Sequence, residues 1–108
     1  MALLMITWDL PPADRRQAYD AKGPEWVEMV MRQPGVIQFR GFRNPFHTTP
    51  MAMIQLEFDS LASCMTFIES GDYAILSAEM YAAGVTNVSA QLWKASPSAP
   101  KSLMPSGG

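Results

Sequence analysis

Cysteine and histidine are almost missing from this chain, with one of each among 108 residues. The single thiol, Cys64, excludes an internal disulfide and suits a reducing cytosol, where the protein is expected to reside. His47 and Cys64 are the only soft ligands, so no metal centre is expected. No bound cofactor is expected either. A basic surplus is also lacking: 8 Lys and Arg stand against 10 Asp and Glu, for a net charge of -2 and a pI near 5.2. Proteins that grip phosphate backbones normally carry excess positive charge, so a nucleic-acid partner is not expected. Arg40-Gly41-Phe42 echoes the opening of an RNA-recognition signature. The echo fails at Arg43 and Asn44, where a small residue and an aromatic are required. Apolar runs are short. Residues 2–6 are too few to cross a bilayer and no Lys or Arg precedes them, so they read as a strand and not a signal peptide. A glycine-rich phosphate loop, paired-carboxylate spacing and a nucleophile elbow are all absent from the sequence.

What is present is patterned apolar sequence, 48% of the chain, including 9 methionines that suit adaptable cores or binding surfaces. Residues 51–59 carry the clearest pattern. Ala52, Ile54, Leu56 and Phe58 make an apolar row at period two, and Met51, Met53, Gln55 and Glu57 face the other way. Residues 2–9 form a first strand, apolar on both faces as a central strand would be. Pro11 and Pro12 stop it. A helix is expected over about 12–33, kinked or broken at Gly23-Pro24, with Trp26, Val27, Val30 and Met31 on its apolar stripe. Pro34-Gly35 ends it, and a second strand runs over 36–43 with Ile37, Phe39 and Gly41 on the core side. Residues 44–50 are a connection rich in turn formers, and it carries His47. After the third strand, Asp59 or Ser60 caps a short helix with the stripe Leu61, Cys64, Met65, Ile68. Gly71 interrupts it. Asp72 caps a second piece with the stripe Tyr73, Leu76, Met80, which Gly84 closes. The last strand covers 85–94, with Thr86, Val88, Ala90 and Leu92 toward the core and Val85, Asn87, Ser89, Gln91 and Trp93 away from it. Residues 95–108 read as an extended tail, so one domain is expected over 1–94.

The order strand, helix, strand, strand, helix, strand is the α+β, ferredoxin-like βαββαβ plan: a four-stranded antiparallel sheet with helices on one face. The uncovered face would hold Gln38, Arg40, Phe42, Met53, Gln55, Glu57, Asn87, Gln91 and Trp93. It is too polar for a dry core and too apolar for plain solvent, so a second copy of the chain is expected to cover it.

The entry strand Leu3 to Trp8, the Pro34-Gly35-Val36 exit, Phe58-Asp59-Ser60, Ser70-Gly71-Asp72-Tyr73 and the closing Leu92-Trp93 carry a resemblance over about residues 2–94. With these features the chain resembles the dimeric α/β-barrel superfamily, near antibiotic-biosynthesis-monooxygenase-like domains. The resemblance implies a homodimer with a pocket between sheet and helices or at the barrel mouth. It also implies a small apolar or aromatic ligand, with cofactor-independent oxygenase-like or isomerase-like chemistry. It does not transfer a catalytic set. His47 is the natural general acid or base because it titrates near neutrality, although a histidine in such a loop is commonly just solvated. Arg40, Tyr81 and Asn87 would stabilise an anion or oxyanion, and Trp26 and Tyr73 would wall a flat substrate. The competing reading is a non-catalytic binding or assembly module in which these residues pack or lie at the seam.

Overall fold

A computed structural model describes residues 1–106; the last two residues of the tail expected over 95–108 lie outside the described residues. The elements are β1 (Ala2–Asp9), α1 (Arg16–Met31) preceded by a 3-10 turn at Ala13–Arg15, β2 (Val36–Arg43), β3 (Ala52–Phe58), α2 (Leu61–Ile68), α3 (Gly71–Ala82) and β4 (Thr86–Lys94). The sheet is antiparallel in the order β2-β3-β1-β4, with β3 and β1 central. This is the ferredoxin-like plan read from the sequence, with the second helix in two pieces. The helices cover one face. Ala2, Leu4, Ile6 and Trp8 of β1 and Ala52, Leu56 and Phe58 of β3 are buried beneath them.

Local chemistry accounts for most boundaries. Ser60 accepts a hydrogen bond from the Ser63 amide and so caps α2. Ser70 caps α3 by accepting from the Tyr73 amide, in place of the expected Asp72. Gly35 sits at φ 85° between α1 and β2, and a Cβ there would lie 2.6 Å from Ser63. Only glycine satisfies both the left-handed conformation and that close approach.

Several expectations need correction. Of the kink or break expected at Gly23-Pro24, the break is absent: α1 is continuous through Pro24. A proline helix loses one backbone bond, and here the stripe Tyr19, Trp26 and Val30 stays buried on both sides of it. Val27 and Met31 are exposed instead. In β2 a register shift between Val36 and Gln38 places Val36 opposite Phe58 on the core side and leaves Ile37 exposed. In β4 a similar shift, at Asn87 with φ 53°, turns Val85 into the core. On α2 the core side chains are Cys64 and Phe67, while Leu61 and Met65 are exposed. A single bulge reverses the face of every residue beyond it, so strict alternation failed at these two places.

The uncovered sheet face is built of cross-strand rows. Gln38, Glu57, Leu3 and Trp93 lie in one row, Arg40, Gln55, Met5 and Gln91 in the next, and Phe42, Met53, Thr7 and Ser89 in the third. Among the described residues, no helix is long and apolar enough to cross a membrane, and no group of three His, Cys, Asp or Glu could hold a metal ion.

Candidate ligand-binding cavity

Under α1 the core does not close. A half-open cavity of about 380 Å³ lies between α1, α3 and the β1-β3-β2 part of the sheet. Its volume falls in the range of small-ligand sites. The sequence explains why it is there. The buried stripe of α1 runs Tyr19, Gly23, Trp26, Val30, at helical spacing i, i+4, i+7, i+11, so Gly23 is a missing side chain within that stripe. Across from it, the core row of β2 is Phe39, Gly41, Arg43, because these residues pair with Leu56, Ile54 and Ala52. Gly41 is a gap in that row. A Cβ built at either glycine would meet nothing within 4 Å, and neither glycine has a positive φ. The backbone does not require glycine at these two positions, and its effect there is to leave space.

The walls are aromatic and aliphatic. Ile6 and Trp8 come from β1, Ala52 and Ile54 from β3, Leu76 and Met80 from α3. The Trp8 indole donates to the Tyr19 hydroxyl at 3.0 Å. The Tyr19 and Trp26 rings lie 5.7 Å apart in a tilted arrangement, favourable for aromatic pairs. The Trp26 indole donates to the Glu79 carboxylate at 2.9 Å, and Lys22 lies 3.6 Å from the same oxygen. These contacts hold the Glu79 carboxyl below the usual glutamate range, with the Trp26 bond the largest cause, Lys22 a smaller one, and partial burial opposing. Arg43 lies at the rim, and among the described residues it forms no ion pair.

Of the six candidate site residues read from the sequence (His47, Arg40, Tyr81, Asn87, Trp26 and Tyr73), the structure brings only Trp26 to this cavity. Tyr73 packs edge-on against Phe67 at 5.2 Å, and burial pushes its phenol up from the ordinary tyrosine value. Tyr81 is exposed on α3. Arg40 lies on the uncovered sheet face with its guanidinium 5.1 Å over Phe42, and among the described residues it makes no ion pair with Glu57. His47 is exposed at φ 58° in the loop between β2 and β3. Asn87 donates to Asp9 at 2.6 Å. Thr49 and the Met51 amide also donate to Asp9, so its carboxyl sits below the usual range, with Asn87 the largest cause. Cys64 is fully buried, and desolvation raises its thiol. The six residues therefore do not converge. Tyr19, Gly23, Gly41 and Arg43 were missed. Their signal was available in the i, i+4, i+7 stripe through Gly23 and in the strand-interior glycine at 41.

No protein-family model and no curated protein matches this sequence. Solved structures do match. A proposed antibiotic biosynthesis monooxygenase from Deinococcus radiodurans superposes with a TM-score of 0.77 at 11% identity, covering 97% of this chain and 100% of that one. A single-residue variant of SnoaB, a cofactor-independent oxygenase from Streptomyces nogalater, gives 0.71 at 10% identity, covering 93% and 97%. HapK from Hahella chejuensis gives 0.70 at 12%, covering 94% and 99%. The chain has the antibiotic-biosynthesis-monooxygenase-like fold. At these identities the monooxygenase-like likeness is one of backbone arrangement, and the cavity side chains are this chain's own.

Proposed function

We propose that the protein binds a small apolar or aromatic molecule in the cavity under α1 and acts on it as a metal-free monooxygenase-like or isomerase-like enzyme. The observation that carries this reading is the pair of facing gaps at Gly23 and Gly41. A glycine inside a helix or strand weakens it by about 0.5–1 kcal/mol relative to alanine. Here neither glycine is excused by its backbone conformation, and both open onto one apolar space. Sacrificing stability at two positions on opposite walls is expected of a site, where emptiness has a use. Trp26 and Tyr19 would flank a flat ligand. SnoaB, a cofactor-independent oxygenase on the same fold, supports the reaction class.

We also propose a homodimer joined through the uncovered sheet face. Leu3, Met5, Met53, Phe42 and Trp93 give that face an apolar character it would otherwise expose, and Gln38, Gln55 and Gln91 could bond across a seam. Arg40 then belongs to the seam. The buried thiol of Cys64 suits a cytosolic protein. A second reading, a non-catalytic binding module, is favoured by one observation: among the described residues no carboxylate or imidazole lines the cavity.

The test is a titration with 1-anilinonaphthalene-8-sulfonate, followed by oxygen uptake with 1,8-dihydroxynaphthalene. Saturable binding that Gly23→Leu removes is the expected result; its absence defeats the cavity reading. Oxygen consumption above buffer supports the enzyme, and binding without turnover supports the module. Sedimentation at micromolar concentration should show a dimer that Met5→Lys dissociates. A monomeric parent protein would end the seam proposal.

A further inference from the structure

We propose that Tyr19 and Arg43 are the polar binding residues of the cavity, and that its ligand is a flat aromatic carrying a hydrogen-bond acceptor at one end and an anionic group at the other. This deepens the cavity reading above and rests on it. An indole N–H can only donate, so in the 3.0 Å contact with Trp8 the Tyr19 oxygen is the acceptor. The hydroxyl hydrogen of Tyr19 must then point elsewhere, and among the described residues no acceptor takes it. Buried donors are rarely left without a partner. Both residues belong to the cavity wall, so the donor is available to whatever fills that space. Trp8 fixes the polarity: the site offers a proton and does not ask for one.

The other end follows from register. Trp8 pairs with Ala52, and Ala52 pairs with Arg43, so the three form one cross-strand row on the helix side. Two strand spacings separate Trp8 from Arg43, roughly 10 Å. Between them stands only a methyl group, that of Ala52. A ligand of two or three fused rings would lie over it, with its acceptor at Tyr19 and its acidic group at the guanidinium of Arg43, which forms no ion pair among the described residues.

Four probes separate the contributions: 6-acetyl-2-naphthoate, 2-naphthoate, 2-acetylnaphthalene and naphthalene, titrated by fluorescence or calorimetry. The parent protein should bind the doubly substituted probe best. Loss of the acetyl group should weaken it about 3–10-fold, and loss of the carboxylate about tenfold. Tyr19→Phe should erase the acetyl preference and leave 2-naphthoate unchanged. Arg43→Gln should erase the carboxylate preference and its salt dependence, leaving 2-acetylnaphthalene unchanged. Trp8→Phe keeps the hydroxyl but frees its orientation, so the acetyl preference should shrink there too. If all four probes bind the parent protein equally, the cavity reading survives and this inference falls. An acetyl preference that persists in Tyr19→Phe likewise overturns it. If none binds, both fall together.

Discussion

The two ends of the core differ, although the same strands build both. At one end Ala2 and Leu4 of β1 meet Leu56 and Phe58 of β3 beneath Cys64 and Phe67 of α2, and all of these are 0–2% exposed. Phe58 stacks on Phe67 with ring centroids 6.0 Å apart. At the other end Ile6 and Trp8, further along β1, and Ala52 of β3 face α1. There Trp8, Tyr19, Trp26, Leu76 and Met80 keep 5–9% exposure around the cavity. Composition does not separate the two ends, since both are apolar and aromatic. What separates them is where glycine falls. The filled end has none in its facing rows, and the hollow end has one on each wall. In a fold this small, close packing and open space can thus be divided between the halves of single strands.

The sharpest way to break that division is to make one deletion at both ends. Leu56→Ala at the filled end should cost near the top of the usual range of about 2–5 kcal/mol, since its neighbours cannot collapse into the space. Leu76→Ala, on the cavity wall, should cost near the bottom of that range, about 2 kcal/mol, because part of its surface already lacks partners. Denaturant midpoints with unchanged slope would measure both. Equal losses would mean the hollow end is as tightly held as the filled one.

Filling the gaps tests the same division with the sign reversed. Gly41→Val adds a β-branched residue inside a strand, at a position where a Cβ meets nothing. It should raise stability by about 0.5–1 kcal/mol while weakening aromatic-probe binding at least tenfold. Mutations that stabilise and disable together mark a site whose structure was traded for use. A Gly41→Val protein that binds as well as its parent would show that the gap is not where the ligand lies.

How much of this could be read without coordinates follows from the same two rows. Period-two alternation in residues 52–58 marks the core face of β3, because nothing interrupts that strand, whereas residues 2–9 are apolar on both faces and alternation alone does not orient β1. Alternation failed at Ile37 and Val85, where bulges change the parity without warning. The helical stripe is legible at Trp26 and Val30, but Gly23-Pro24 reads as a break and hides its continuation through Gly23 to Tyr19. Picking site residues by chemical type gathered His47, Arg40, Tyr81 and Asn87 from a loop, the open sheet face, an exposed helix face and a strand end. Chemical type carries no information on convergence, whereas a gap in a periodic row does.

Helix caps offer a further contrast. α2 has a side-chain cap at Ser60, while α1 begins without one. Ser60→Ala should cost about 1 kcal/mol and leave probe binding untouched, since the cap supports only the filled end. Thermal melts alongside the naphthalene titration would check both. A change in affinity would tie the two ends together.

The smallest effect should come from the outer wall of the hollow end, in the pH dependence of the Trp26–Glu79 contact. Glu79 titrates below its ordinary value chiefly because the Trp26 indole donates to it, with Lys22 adding to the effect. A carboxyl depressed in the folded state adds stability above its unfolded pKa, about 4.3 for Glu, and that addition is lost as pH falls through the lowered folded value. The parent protein should therefore lose melting temperature between about pH 5 and pH 3 more steeply than Trp26→Phe or Glu79→Gln. Asp9, held low mainly by Asn87, contributes an acid loss of the same sign from outside the cavity. Asn87→Ala should thus flatten the acid limb as well, but without altering aromatic-probe affinity at pH 7. Trp26→Phe should do both. Parallel acid limbs for the parent and Trp26→Phe would show that the Trp26–Glu79 hydrogen bond contributes nothing to the folded state, leaving Trp26 only its role as a wall.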